Sequence, residues 1–262
     1  MEKYINLVLD LPNKVNSMLP KNCYNEAIEG SEKSINSWIG YIFKILSFGF
    51  AILTVYLILK QGIESLKGAD ALNIVGSILT MLIFLYVTFP LSMFFRSTAS
   101  TLSSSESGII TFFFKDFVVA VLKLLGYLGA LIALATAIAG TVSFVLDGYG
   151  VYGHDFFGLA EQGSAAMTAF LLTILGFIEP LNELLYEMEN LLAMIDLRAQ
   201  GYIMVDGWSV EGLLQLLSMY VAPLVILIQL FITLAIYHFV YGLISTFLNW
   251  IKGPYFPIKV LK

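Results

Sequence analysis

Five carboxylates crowd one short stretch, GFIEPLNELLYEMENLLAMID, residues 176 to 196. Glu179, Glu183 and Glu187 stand four residues apart and Glu189 follows, with no Lys or Arg among them. Carboxylates at that spacing lie along one strip of a helix, drifting by about 40° per step at 3.6 residues per turn. Such a strip can face water, hold a cation, or dock a basic partner. A second polar series, Gln229, Thr233 and Tyr237, also recurs every fourth residue, with His238 beside it. An imidazole at membrane depth can relay protons or ligate a haem or pigment. The other histidine, His154, falls in a Gly- and aromatic-rich loop, DGYGVYGHDFFG, so a bis-His haem is not expected and no cofactor is predicted. No metal site is predicted either, because one cysteine and two histidines do not supply a ligand set. Phosphate-binding loops, nucleophile elbows and zinc-protease motifs are absent from the sequence, which points away from an enzyme.

What must position these groups is read from composition. Hydrophobic residues make up 58% of 262 and charged residues 13%. Soluble domains carry about a quarter charged residues, so most of this chain belongs in lipid. The net charge of −5 excludes nucleic acid, whose phosphates require a dense basic surface. The first 37 residues lack a long apolar core, so insertion is expected to start at the first full span, without a cleavable leader.

A hydrocarbon core about 30 Å thick takes about 20 apolar residues in helix. Residues 38–59, 71–95 and 124–146 meet that requirement, and a Ser-rich stretch, 96–108, reads as a linker. The last apolar block, 213–251, would run nearly 60 Å as one helix. A surface helix over 212–222, a kink at Pro223 and a span to about 250 resolve that excess. Residues 164–178 are too short to cross and are expected to be re-entrant or interfacial, followed by an amphipathic helix over 180–197. Its apolar stripe is Leu181, Leu185, Met188, Leu192 and Ile195.

The expected fold class is therefore an all-α polytopic membrane protein, a bundle of four transmembrane helices with amphipathic interfacial helices, and five spans as the alternative. Basic residues choose between the two counts. Four spans put Lys3, Lys14, Lys21, Lys33, Lys44, Arg96, Lys115, Lys123, Lys252, Lys259 and Lys262 on one side, 11 of 14, against Lys60, Lys67 and Arg198. Five spans reduce the split to 9 against 5. The positive-inside rule favours four, with both termini on the cytoplasmic, Lys-rich side of a bacterial inner membrane or its equivalent. Residues 1–37 form an N-terminal amphipathic segment on that side, and 147–211 an acidic segment on the other.

In the third span Gly129, Ala133 and Ala137 recur every four residues, with Gly126 alongside. Small residues at this spacing let helix backbones approach in lipid, where packing drives association. They nominate a contact with another helix of the chain or with another subunit. Length and hydrophobicity resemble those of small polytopic core subunits of conjugation and secretion machines, a resemblance of outline with no shared motif. The expected function is a non-enzymatic membrane subunit that anchors a larger assembly. Its partners would be the bilayer and other subunits or copies of itself. Two alternatives stay open: an oligomeric channel or ion-coupled transporter using Gln229, His238 and Glu179, or an electron-carrying subunit with a cofactor at His238.

Overall fold

The computed structural model describes residues 24–67, 69–147 and 207–252, with residues 169, 170, 173, 183, 186 and 187 between them. Every regular element among the described residues is helical. Helix α1 covers Tyr24–Ser65 and α2 covers Ala71–Ser103. Helix α3 runs over Ile109–Val145, with a six-residue π-helical segment at Phe112–Phe117. Helix α4 covers Val210–Lys252. Four helices are long and apolar enough to cross a membrane. The residues proposed above as an alternative fifth span fall mostly outside the described ones.

Consecutive helices pack antiparallel, α1 on α2, α2 on α3 and α3 on α4. Close contacts fix the register at each seam. On α1 and α2, Ser47 donates to the Ser92 carbonyl at 2.7 Å and Gly40 lies against Ala99 and Ser103. Phe94 of α2 stacks on Tyr127 of α3. Gly126 of α3 meets Leu230 of α4, and Thr141 shares a 2.8 Å hydrogen bond with Tyr220. The interior follows these seams. One apolar cluster gathers Phe84, Leu91, Ile132 and Ala139, and another gathers Leu122, Ala133, Ile226 and Leu230.

Two boundaries differ from the sequence expectation. The Ser-rich stretch is not a linker from Arg96 onward, because α2 continues to Ser103 with Thr98, Ala99 and Leu102 buried. Its hydroxyls turn back onto the helix: Thr98 donates to the Phe94 carbonyl, Ser100 to Ser97, Thr101 to Ser97 and Ser103 to Ser100. Ser and Thr that bond to carbonyls three or four residues back are compatible with helix even where hydropathy falls. Likewise, the third helix begins at Ile109 and not near residue 124.

The surface helix, the Pro223 position and the span expected over the last block all fall within one helical element. Pro223 sits buried inside this helix of 43 residues. The prolyl ring removes one N–H, and contacts on both sides of it, Tyr220 with Thr141 and Leu230 with Gly126, hold the helix on α3.

The π segment has a packing cause. In an α-helix, positions five apart diverge by about 140°, so Phe112 and Phe117 would face different ways. The wider π turn brings them to one side, where Phe112 is fully buried with Leu102 and Phe117 meets Phe43 edge-on at 6.2 Å.

Candidate functional site

The α3–α4 seam collects the small-residue stripe and most of the polar series. Gly126, Gly129, Ala133 and Ala137 are all buried. A Cβ added at Gly126 would fall 2.6 Å from one Leu230 methyl and 2.9 Å from the Leu230 Cβ. The intramolecular reading of this stripe thus accounts for Gly126, whose facing surface is α4.

Gln229 and Thr233 are buried in the same seam, at 1% and 0% exposure. Thr233 donates to the Gln229 carbonyl at 2.7 Å, and Gln229 is itself engaged. The Tyr237 hydroxyl donates to the carbonyl of Phe114 inside the π segment. Where the helical register widens, carbonyls lose their α-helical donors, and a phenol from the neighbouring helix is one replacement. His238 is placed differently. It is exposed on the outer side of α4, beside Phe239, Gly242 and Trp250, and takes no part in the seam. A ligand on its imidazole would lie on the periphery of the bundle. Among the described residues, no three His, Cys, Asp or Glu side chains converge as a metal site would need.

Of the acidic strip, Glu183 and Glu187 are described; both are helical and exposed, as is Tyr186 between them. Glu179 and Glu189 lie outside the described residues, as do most of 164–178 and 180–197. One residue of the 164–178 stretch is informative. Phe170 packs on Tyr237, ring centroids 5.7 Å apart. Tyr237 is about 40 Å along α4 from its start at Val210, at 1.5 Å per residue. Phe170 therefore sits alongside α4, and not at the far end where the chain leaves α3. At that far end Gly207 lies against Asp147, and Phe144 meets Trp208 at 5.9 Å. Asp147 and Trp208 both adopt positive φ, 57° and 50°, to turn the chain out of α3 and into α4.

A further polar cluster escapes sequence reasoning. At the opposite end of the bundle, Ser105 and Ser107 both donate to one carboxylate oxygen of Asp116, at 2.6 and 2.7 Å. Asn36 of α1 donates to the Ser105 carbonyl at 2.7 Å, while its own side-chain oxygen is buried with no hydrogen-bond partner among the described residues. Asn36 and Ser105 edge an open cleft of about 820 Å³ formed with residues 106–111. The cluster joins three elements. Its signal in the sequence is only a Ser-Glu-Ser run eleven and nine residues ahead of an aspartate, which is too ordinary to single out.

The four apolar helices define an integral, polytopic α-helical membrane protein. No family model, no curated protein and no solved structure matches the chain.

Proposed function

We propose that this protein is a non-enzymatic membrane subunit that anchors or scaffolds a larger assembly, such as a secretion or transport machine. One observation carries the reading. Exposed apolar side chains run the whole length of α4, from Val210, Leu213 and Leu217 through Leu224, Ile228 and Phe231 to Leu243, Phe247 and Trp250. Over 41 residues that face is about 60 Å long, twice the hydrocarbon thickness. Fitting it into lipid would require a tilt of about 60°, whereas membrane helices tilt by 0–40°. Lipid alone does not cover such a face, so protein is left to cover the remainder. Exposed apolar surface on that scale marks interaction sites.

In this reading both termini lie on the Lys-rich, cytoplasmic side, and exposed Glu183 and Glu187 present carboxylates to a basic partner surface. The test is purification from native membranes in a mild detergent, followed by mass measurement of the intact particle. The expected result is this chain in a stoichiometric complex with other subunits or with itself. A lone monomer with no companion overturns the reading.

A further inference from the structure

The register of the four helices can be followed across the bundle to ask where their cations fall. On α1, Lys44 stands three residues before Ser47, which bonds to Ser92 of α2, so Lys44 is level with Phe95. Arg96 is the next residue of α2. On the next seam Phe94 faces Tyr127, which sets Arg96 close to Leu125 of α3. Lys123 lies two residues further along, and across the last seam, where Gly126 meets Leu230, it is level with Thr233. Lys44, Arg96 and Lys123 thus share one level to within about a helical turn of 5.4 Å. They come from three different helices, each is exposed, and none is ion-paired among the described residues.

Exposed apolar side chains flank this level on both sides. Toward the Asp147 end lie Ile52, Tyr56, Leu82, Tyr86, Leu217 and Leu224, and toward the other end Trp38, Ile110, Phe239 and Phe247. Three exposed cations on an apolar surface need an anionic or aqueous layer against them. The two halves differ in what else they carry. Toward Asp147, α2 from Ala71 to Phe95 and α3 from Leu124 to Leu146 hold no charge, and α1 carries none between Lys44 and Lys60, which with Glu64 lies near its far end. From Lys123 to Asp147 α3 rises about 36 Å, close to one bilayer core. The other half contains Lys115, Asp116 and the exposed serines and threonines that close α2. Lipid fits the first half and not the second.

We propose that Lys44, Arg96 and Lys123 bind phospholipid phosphates and mark the headgroup plane of the leaflet on the Lys-rich side. The membrane then encloses the bundle from this level to Asp147. About 30 Å of α4, from Phe231 to Trp250, together with the π-helical start of α3, stands clear of the hydrocarbon. Stems of the two lysines extend along apolar surface while their ammonium groups reach the phosphates, and the Arg96 guanidinium can pair with a phosphate through two N–H groups. This deepens the assembly reading by dividing α4 into a part that lipid covers and a part left to protein. It depends on the chain spanning a membrane and not on any partner being found.

Spin labels at Leu217→Cys, Phe231→Cys and Phe247→Cys, each in a Cys23→Ser background, test it in vesicles of phosphatidylcholine and phosphatidylglycerol. Accessibility to oxygen, which partitions into lipid, is compared with accessibility to a water-soluble nickel chelate. Oxygen is expected to dominate at position 217, the two to balance at 231, and the chelate to dominate at 247. Oxygen dominance at 247 equal to that at 217 overturns the placement. A second arm combines Lys44→Gln, Arg96→Gln and Lys123→Gln and follows the label at 231. Loss of the balance seen at 231 is expected; an unchanged depth overturns the role of the three cations. Repeating the comparison of unmodified protein and triple variant in phosphatidylcholine alone, with inorganic phosphate in the buffer, separates lipid phosphate from the free ion. The triple variant is expected to shift the label there too, because phosphatidylcholine also presents phosphate, whereas a shift reproduced by washing out inorganic phosphate overturns the lipid assignment. A monomer on purification would sink the assembly reading and leave these label depths untouched.

Discussion

Gly126 of α3 and Leu230 of α4 touch so closely that no side chain fits between them: an added Cβ would lie 2.6 Å from a Leu230 methyl. Leu230 is fully buried by this approach and belongs to the cluster with Ile226 and Ala133. In lipid, where water does not drive helices together, such close backbone approach is the source of affinity. Gly126→Leu should therefore force α3 and α4 apart, with the loss of about 1–3 kcal/mol typical of overpacking. Thermal unfolding in detergent reads that loss. Shortening the partner in the same molecule, as Leu230→Ala, should restore part of it; a double variant as unstable as the sum of the single ones would count against direct contact.

Glycines elsewhere give a matched comparison. A Cβ at Gly40 would meet the Ala99 carbonyl oxygen and the Ser103 Cβ, each at 2.8 Å, whereas Gly49 and Gly242 face open space. Gly40→Leu should separate α1 from α2 and lower the melting temperature. Gly49→Leu and Gly242→Leu should leave it unchanged or raise it slightly, because leucine favours helix over glycine by roughly 1 kcal/mol. Equal effects at all three positions would contradict the α1–α2 packing.

The phenol of Tyr237 supplies a donor to the Phe114 carbonyl at the π segment. Tyr237→Phe keeps the ring, and with it the contact to Phe170, but removes the donor. A cost of about 0.6–1.5 kcal/mol is expected, the range for a single polar contact between membrane helices or within a protein interior. Faster amide hydrogen exchange confined to residues 112–119 would locate the effect; exchange unchanged there would show that the hydroxyl is dispensable.

Asp116 gathers two serine hydroxyls and thereby closes the turn between α2 and α3. Asp116→Ala should free residues 104–108, raising their amide exchange and exposing the turn to proteolysis, while the α3–α4 seam keeps its protection. Asp116→Asn retains one acceptor oxygen and should lose less. A turn equally protected in all three proteins would mean that the α2 C-terminus, where Ser104 and Ser105 also bond to backbone carbonyls, holds it alone.

The sequence by itself determined the solvent of this protein and the number of crossings among its described residues. Hydropathy sums over many side chains, so residues 38–59, 71–95, 124–146 and the block after 213 each announced a helix, and the small-residue stripe in the third span announced a packing face. Its partner was not legible. The stripe serves α4 because Leu230 is brought against Gly126 by an antiparallel register that no local pattern encodes. Helix ends were misplaced for a related reason. Hydropathy reports the part of a helix that wants lipid, whereas backbone bonding decides where it stops, and the hydroxyls from Thr98 to Ser103 sustain α2 past its apolar stretch. Only the tertiary structure could separate the members of one periodic series, burying Gln229 and Thr233 while leaving His238 outside. Only it could bring Asn36, Ser105 and Asp116 to one end of the bundle, or Lys44, Arg96 and Lys123 to one level. Composition fixes which medium a chain prefers because that preference adds residue by residue. Register is set by the few contacts that helices make with one another, and those exist only once the chain has folded.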